Sequence, residues 1–433
     1  MDFRGPGARG LALLGAGLAV ALAGYVAGRA DLAGALVRRL APALAGSGEE
    51  RARHGGRASA DPAASDAYEQ LHGFLDAELQ RRRGESPVWR ELLTLDDPAK
   101  RAAWTERRRS AFAAWLGGWP GPATDLDPRF ELLGCRDGVR IARAELGSLP
   151  GVRLPALLLW PEAGPTPRAA LLAIHGMYGS PESTVDPFDY HHGFGMELAR
   201  RGLVVLAPLG LSSTTETRRS LNAKAMALGW NVHSLDLWQL GRALDLLLAL
   251  EGVDPSRVAV YGVSLGGGHA LRLGALDERV SLVVSSGHLA DKFGWLFQRG
   301  HGSPNRPPDG HMIRSVSPDD APHILPGLDL DDLNLVALIQ PRALALVAGR
   351  RDPRHATAVA AFEQVKRIYA RAGRAENVYF LEPPGGHEIS LEHTWPVIDA
   401  WRSRHLPEAA RGAGTAPVSL RSVLDAKCRE MAS

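Results

Sequence analysis

From Phe130 onward the chain alternates between two hydrophobic periods. Short apolar stretches bounded by turn residues recur as "FELLG", "VRIARAEL", "LPALLLW", "RAALLAIHG", "GLVVLAP", "RVAVYG", "VSLVVSSG", "PRALALVAG" and "NVYFLEP". The early ones alternate or run apolar, as strands do. The later ones, such as "GLVVLAP", are unbroken apolar runs, which suit strands covered on both faces. Between and after them, "FGMELARRG", "WNVHSLDLWQLGRALDLLLAL", "HATAVAAFEQVKRIYARAG" and "SLEHTWPVIDAWRSRHL" space their apolar residues by three and four, the helical period. Strands alternating with helices predict the α/β class, with a doubly wound, mainly parallel sheet over residues 129–406.

The pattern before Phe130 is different. "YEQLHGFLDAEL" and "PAKRAAWTERRRSAFAAWLGGWPG" read as helices, the second opened by Pro98 and closed by glycines. They are too few and too charged to make a core of their own, so residues 67–128 are expected to be a helical extension packed on the α/β region. Residues 46–66, Gly-, Ala-, Ser- and Arg-rich without periodicity, read as a linker. Residues 1–45 contain an uncharged stretch from Gly10 to Gly28 behind Arg4 and Arg9. That length just spans a hydrocarbon core of about 30 Å. It reads as an export signal or a membrane anchor through residues 10–28, either of which places the α/β domain outside the cytoplasm. A cytoplasmic helix is the alternative. Residues 407–433 are a tail expected to lack order for much of their length.

Composition narrows the function. Apolar residues make up 45% and charged residues 23%, with a formal charge of +2. Positive and negative side chains nearly cancel, so no electrostatic case for a nucleic-acid partner exists. Cys135 and Cys428 are the two cysteines. They lie far apart without CxxC spacing, and indicate neither a zinc site nor a disulfide framework.

The chemistry centres on "YGVSLGG". A strand ends at Tyr261, Ser264 sits in the turn, and a helix starts near Leu265. Gly262 and Gly266 let strand and helix approach closely around a strained turn that lifts the serine hydroxyl clear. Leu265 N–H, at a helix N-terminus, then points to where an oxyanion would form. A second donor is expected after an earlier strand, where "AIHGMYG" offers Met177 N–H. His175 reads as a structural residue of that turn rather than a base. Asp352 comes after the strand "PRALALVAG", and His387 after the last strand, in "EPPGGHE". Ser, then Asp, then His, each just past the end of a different strand, is the order of a hydrolase triad in which acid orients base and base activates nucleophile. The adjacent His191 and His192 of "DYHHG" lack a metal-binding spacing. No metal or organic cofactor is expected, because a triad and an oxyanion hole suffice for acyl transfer. The long irregular insertion at 288–335 reads as a cap over the serine. Its Phe293, Trp295 and Phe297 suit either a pocket wall or the cap's own core.

On "AIHGMYGSPE", "YGVSLGGGHAL", "LPGLDLDDLNLVALIQPRALALVAGRRDP" and "VKRIYARAGRAENVYFLEPPGGHE" the chain resembles the bacterial α/β-hydrolases related to dienelactone hydrolases and acetyl xylan esterases. The resemblance covers roughly Phe130 to Leu406. It implies the α/β-hydrolase fold and a serine esterase with Ser264 as nucleophile, Asp352 as acid and His387 as base. The chain departs from the group after "LVVLAP", where "LGLSSTTETRRS" replaces an aspartate and a Gly-Arg-rich loop. "GVSLGG" also differs from the serine motif of glucuronoyl esterases. The expectation is therefore hydrolysis of a small-molecule ester, acetyl or short-chain. A peptidase of the prolyl-oligopeptidase type and a catalytically silent binding protein are the rivals. The helical region before Phe130 is too short for a propeller, and an intact triad argues against silence.

Overall fold

The computed structural model describes residues 70–431, apart from 72, 76, 79–80, 82–87, 122, 212–213, 290–331 and 405–416. The chain divides into a unit that ends at Ala77, helical at its described residues, and a unit from Glu78 to Ser433. The second unit holds the sheet and the helices packed on it.

Two helices, α1 (Val88–Thr94) and α2 (Pro98–Trp115), come first. Asp97 caps α2 by accepting from Ala99 N–H at 2.7 Å, with Pro98 at the first helical position. Trp89, Leu92, Trp104 and Phe112 are buried in the main core, so α1 and α2 are part of the hydrophobic body. Truncating either tryptophan would cost about 3–5 kcal/mol.

Nine strands come next, in one sheet: β1 (Arg129–Arg136), β2 (Val139–Leu149), β3 (Val152–Pro161), β4 (Arg168–Ile174), β5 (Val204–Pro208), β6 (Val253–Val263), β7 (Leu282–Ser286), β8 (Ala343–Val347) and β9 (Val378–Leu381). Their order is β1-β2-β3-β5-β4-β6-β7-β8-β9. The pairs from β1 to β5 are antiparallel, and from β5 through β4 to β9 all are parallel. All nine correspond to the apolar stretches read from the sequence.

The sheet is covered on both faces, which is why its central strands carry no polar alternation. In β6, Val258 and Val260 join one core, and Ala259, Tyr261 and Val263 the other. The second core receives α3 (Phe194–Arg200) and α9 (Leu391–Ser403). The first receives α5 (Val232–Ala249), α6 (Leu265–Leu276), α7 (Asp332–Ile339) and α8 (His355–Arg371). The chain leaves β4 for β5 on one side and returns to β6 on the other. A crevice opens at the carboxyl ends of strands where the order reverses in this way.

Three expectations need correction. The two cysteines form a disulfide, Cys135–Cys428, with Cα atoms 5.8 Å apart across 293 residues of sequence. The far end of the tail is also ordered. Val418 pairs with Leu250, Glu430 pairs with Cys135, and α10 (Arg421–Leu424) lies near β1 and β2, with Arg140 of β2 donating to the carbonyls of Val423 and Ala426. Finally, residues 332–335 belong to the buried helix α7 rather than to a cap. Residues 290–331 of the insertion, including Phe293, Trp295 and Phe297, lie outside the described residues, as do residues 10–28. Among the described residues no helix is long and apolar enough to cross a membrane.

Candidate active site

Ser264 occupies the turn between β6 and α6 with φ 58° and ψ −120°. A side chain larger than glycine rarely adopts positive φ, and when it does the surrounding structure must enforce it. Here the enforcement is visible. Ser264 N–H donates to Ser286 O at 2.8 Å, and Ser264 O accepts from Gly268 N–H at 3.1 Å. A Cβ on Gly262 would lie 2.4 Å from the Gly266 carbonyl, and one on Gly266 would lie 2.4 Å from Ile174 O. The two motif glycines are therefore required by the closeness of strand and helix. Leu265 is the first residue of α6, where backbone N–H groups have no intrahelical acceptor.

Asp352 and His387 meet from separate loops, after β8 and β9. His387 Nδ1 is 2.6 Å from Asp352 Oδ2. Asp352 is buried, and its other carboxylate oxygen accepts from Arg354 N–H at 2.9 Å. Burial by itself would raise its pKa. The hydrogen bonds from His387 and Arg354, with their charges, outweigh burial and hold the carboxyl below its ordinary 3.8. An ionised carboxylate only accepts, so Nδ1 of His387 carries the proton and Nε2 is left as a basic nitrogen. The imidazole is partly exposed, and a Cβ on Gly287 would stand 2.9 Å from it. Gly287 is next to Ser286, whose carbonyl holds Ser264. The turn after β7 thus borders both the serine and the Asp–His pair.

The loop after β4 carries Met177, which is half-buried. Gly176 before it is held from two sides. His175 Nδ1 lies 2.8 Å from Gly176 O, while Gly176 N–H donates to His191 Nε2 at 2.9 Å. The C=O of Gly176 and the N–H of Met177 belong to one planar trans peptide, so fixing the carbonyl fixes the direction of the N–H. His175 also accepts from Gly210 N–H through Nε2. Both its nitrogens are engaged, which leaves none to act as a base. Burial, ahead of its other influences, pushes the His175 pKa down to about 4 and keeps the ring neutral.

One group here has no signal in residue spacing. The stretch after β5, where the sequence departs from the group it resembles, becomes helix α4 (Thr215–Ala227), capped by Thr214 accepting from Thr217 N–H. The cap threonine and Gly229 beyond the helix are the available clues. Leu211, ahead of it, is pinned by a buried ion pair. Asp236 accepts from Leu211 N–H at 3.1 Å and from Arg218 at 2.8 Å, and Arg218 also donates to Leu211 O. Burial opposes the Asp236 charge, but Arg218 and His269 hold its pKa well below the ordinary carboxylate range. His233, Asp236 and His269 bring ligand atoms within 4.8 Å of one another. The guanidinium on Asp236 already supplies a cation's charge, so this cluster pins a loop and is poorly suited to a metal ion.

No protein-family profile matches the chain. Among curated proteins, the quorum-quenching protein AidA of Acinetobacter baumannii (strain MDR-ZJ06) is 31% identical over 81 residues. That match spans 19% of this chain and only 23% of the relative's length. Among solved structures, a protein assigned as an acetyl xylan esterase from Bacteroides fragilis NCTC 9343 superposes with a TM-score of 0.56 at 19% identity, covering 82% of this chain and 88% of that one. A methylesterase gives 0.55 at 18% identity, with 80% and 78% covered. A glucuronoyl esterase from Solibacter usitatus gives 0.51 at 15%, with 69% and 92% covered. With the order of the nine strands, these likenesses show that the chain has the α/β-hydrolase fold.

Proposed function

We propose that this chain is a serine carboxylic-ester hydrolase that works through an acyl-enzyme. The observation that carries the reading is the pairing of a positive-φ Ser264 at the head of α6 with the 2.6 Å contact between His387 and Asp352. Fold likeness alone would not decide function. In this mechanism Ser264 Oγ attacks the ester carbonyl carbon while His387 Nε2 takes its proton. Leu265 N–H and Met177 N–H stabilise the oxyanion. His387 protonates the departing alcohol, then activates water that releases the acid and regenerates Ser264. Asp352 stays ionised and supports the imidazolium at each stage.

Acetyl or other short-chain esters are the proposed substrates, in keeping with neighbours that include a protein assigned as an acetyl xylan esterase and a methylesterase. Export or membrane anchoring through residues 10–28 is proposed for location. The Cys135–Cys428 disulfide supports an oxidising compartment. Residues 129–406 are proposed as the catalytic domain, with residues 332–335 in helix α7 and α10 of the tail packed beside β1.

The test is hydrolysis of p-nitrophenyl acetate, butyrate and octanoate by wild type beside Ser264→Ala. Turnover of the short esters with a loss of about a thousandfold or more in the variant supports the reading. Equal rates in both proteins would reduce Ser264 to a turn residue.

A further inference from the structure

Asp189, Tyr190, His191 and His192 form one short segment, and three of the four reach the two loops that carry Met177 and His387. His191 is fully buried and accepts Gly176 N–H on Nε2 at 2.9 Å. That nitrogen therefore carries no proton, and Nδ1 bears it, 2.6 Å from Asp189 Oδ1. Asp189 also accepts from the His191 backbone N–H at 3.0 Å, which fixes the carboxylate against the ring it orients. Tyr190 stands over Gly176, where a Cβ would fall 1.9 Å from its hydroxyl oxygen. Its carbonyl accepts from Ile389 N–H at 3.1 Å, two residues past His387. His192 Nε2 is 2.9 Å from Glu388 Oε2, one residue past His387.

The segment therefore ties the loop that carries Met177 to the loop that carries His387. Its Asp189–His191 pair repeats the arrangement of Asp352 and His387, with a carboxylate on Nδ1 and a free lone pair on Nε2. Here that lone pair meets a backbone amide instead of a nucleophile. His175 holds the carbonyl of Gly176 while His191 holds its N–H, so both peptide planes that meet at Gly176 are set by imidazoles.

We propose that His191, oriented by Asp189, is a positioning residue that holds the Gly176–Met177 backbone in the geometry needed to stabilise an oxyanion. This rests on the esterase reading for its kinetic consequence, though not for its structural one. His191 touches no reacting atom. Its contribution falls on the transition state, because only there does the carbonyl oxygen move into the donors.

The test uses the full chain as wild type, His191→Ala, His191→Gln and Asp189→Ala. Gln is the informative change, since its carbonyl can accept Gly176 N–H where Ala cannot. On p-nitrophenyl acetate, His191→Ala is expected to lower kcat about a hundredfold with KM within about threefold, the mark of an interaction made in the transition state. His191→Gln is expected to recover most of that loss, and Asp189→Ala to fall between them. Amide exchange read by mass spectrometry on the peptide spanning residues 175–180 is expected to quicken about tenfold in His191→Ala and to return toward wild type in His191→Gln. An unchanged exchange rate in folded His191→Ala overturns the proposal. So does a Gln variant no better than Ala in either readout. Should His191→Ala fail to fold, the Gln and Asp189→Ala proteins carry the same comparison against wild type. If wild type hydrolyses no ester, the esterase reading fails, and the exchange measurement still decides whether His191 holds the loop.

Discussion

The Cα of Gly266 faces the carbonyl oxygen of Ile174 so closely that a Cβ there would lie 2.4 Å from it and 2.6 Å from the carbonyl oxygen of His175. Helix α6 thus rests directly on the end of β4, and both strand and helix bring proposed reacting groups to that junction. Neither carbonyl is the flexible end of a side chain, so an added methyl group must push the backbone. Gly266→Ala is expected to destabilise by about 1–3 kcal/mol, as overpacking does. Esterase activity should fall with it, because the displaced elements carry Ser264 and Met177. Urea unfolding alongside p-nitrophenyl acetate kinetics checks both, and a variant of wild-type stability and rate would refute the contact.

Asp352→Asn tests the acid. The amide keeps the shape of the carboxylate, yet its NH2 can donate to His387 Nδ1 and drive the ring proton to Nε2. A loss in kcat of about 10⁴-fold is expected, with the fold intact. A loss under about tenfold would show that Asp352 does not orient the base.

Stability should fall as the medium is acidified, beginning above the carboxylate range. His175 in the folded protein takes a proton only near pH 4, whereas an unfolded histidine takes it near 6.5. Between those values the unfolded chain binds more protons, so stability is lost as pH drops through the window, by about 3 kcal/mol from this group. His191 and His269, also lowered mainly by burial, act in the same direction. Asp352 and Asp236 are depressed below 3.8, so their contribution is present above that value and is lost only as pH falls through their folded pKa values. Urea midpoints measured from pH 8 to 4.5 should decline, and His175→Asn should decline less. A flat series would contradict the neutral, buried imidazoles.

Reduction of Cys135–Cys428, or Cys428→Ser, should lower stability by about 2–4 kcal/mol, since the bond closes a loop of 293 residues in the unfolded chain. Activity should persist, because the tail packs beside β1, at the opposite edge of the sheet from β9. Thermal unfolding with and without reductant checks this. A simultaneous loss of activity under mild reduction would place the tail closer to the chemistry.

Much of this architecture is legible in the sequence because its information is local. Nine strands and the long helices announce themselves through period and turn residues. Gly262, Ser264 and Gly266 announce a strained turn, because few residues other than glycine tolerate such close backbone approach. The order of Ser264, Asp352 and His387 is readable since each comes after a recognisable strand. Helix α4 is less so. Its surface is polar, with Arg218 and Ala225 as its buried residues among those described, so no apolar period marks it.

What sequence alone determined about this protein is the α/β class, the strand inventory and the three residues proposed to react. Tertiary structure decided the rest. It brought Cys135 to Cys428, Arg218 to Asp236 and Asp189–His191 to Gly176. The physical reason is one of range. Hydrophobic period and turn chemistry act between residues a few positions apart, and they leave a trace that can be read along the chain. A disulfide, a buried ion pair or an imidazole on a backbone amide depends on where the sheet order delivers each group, and spacing along the chain does not encode that.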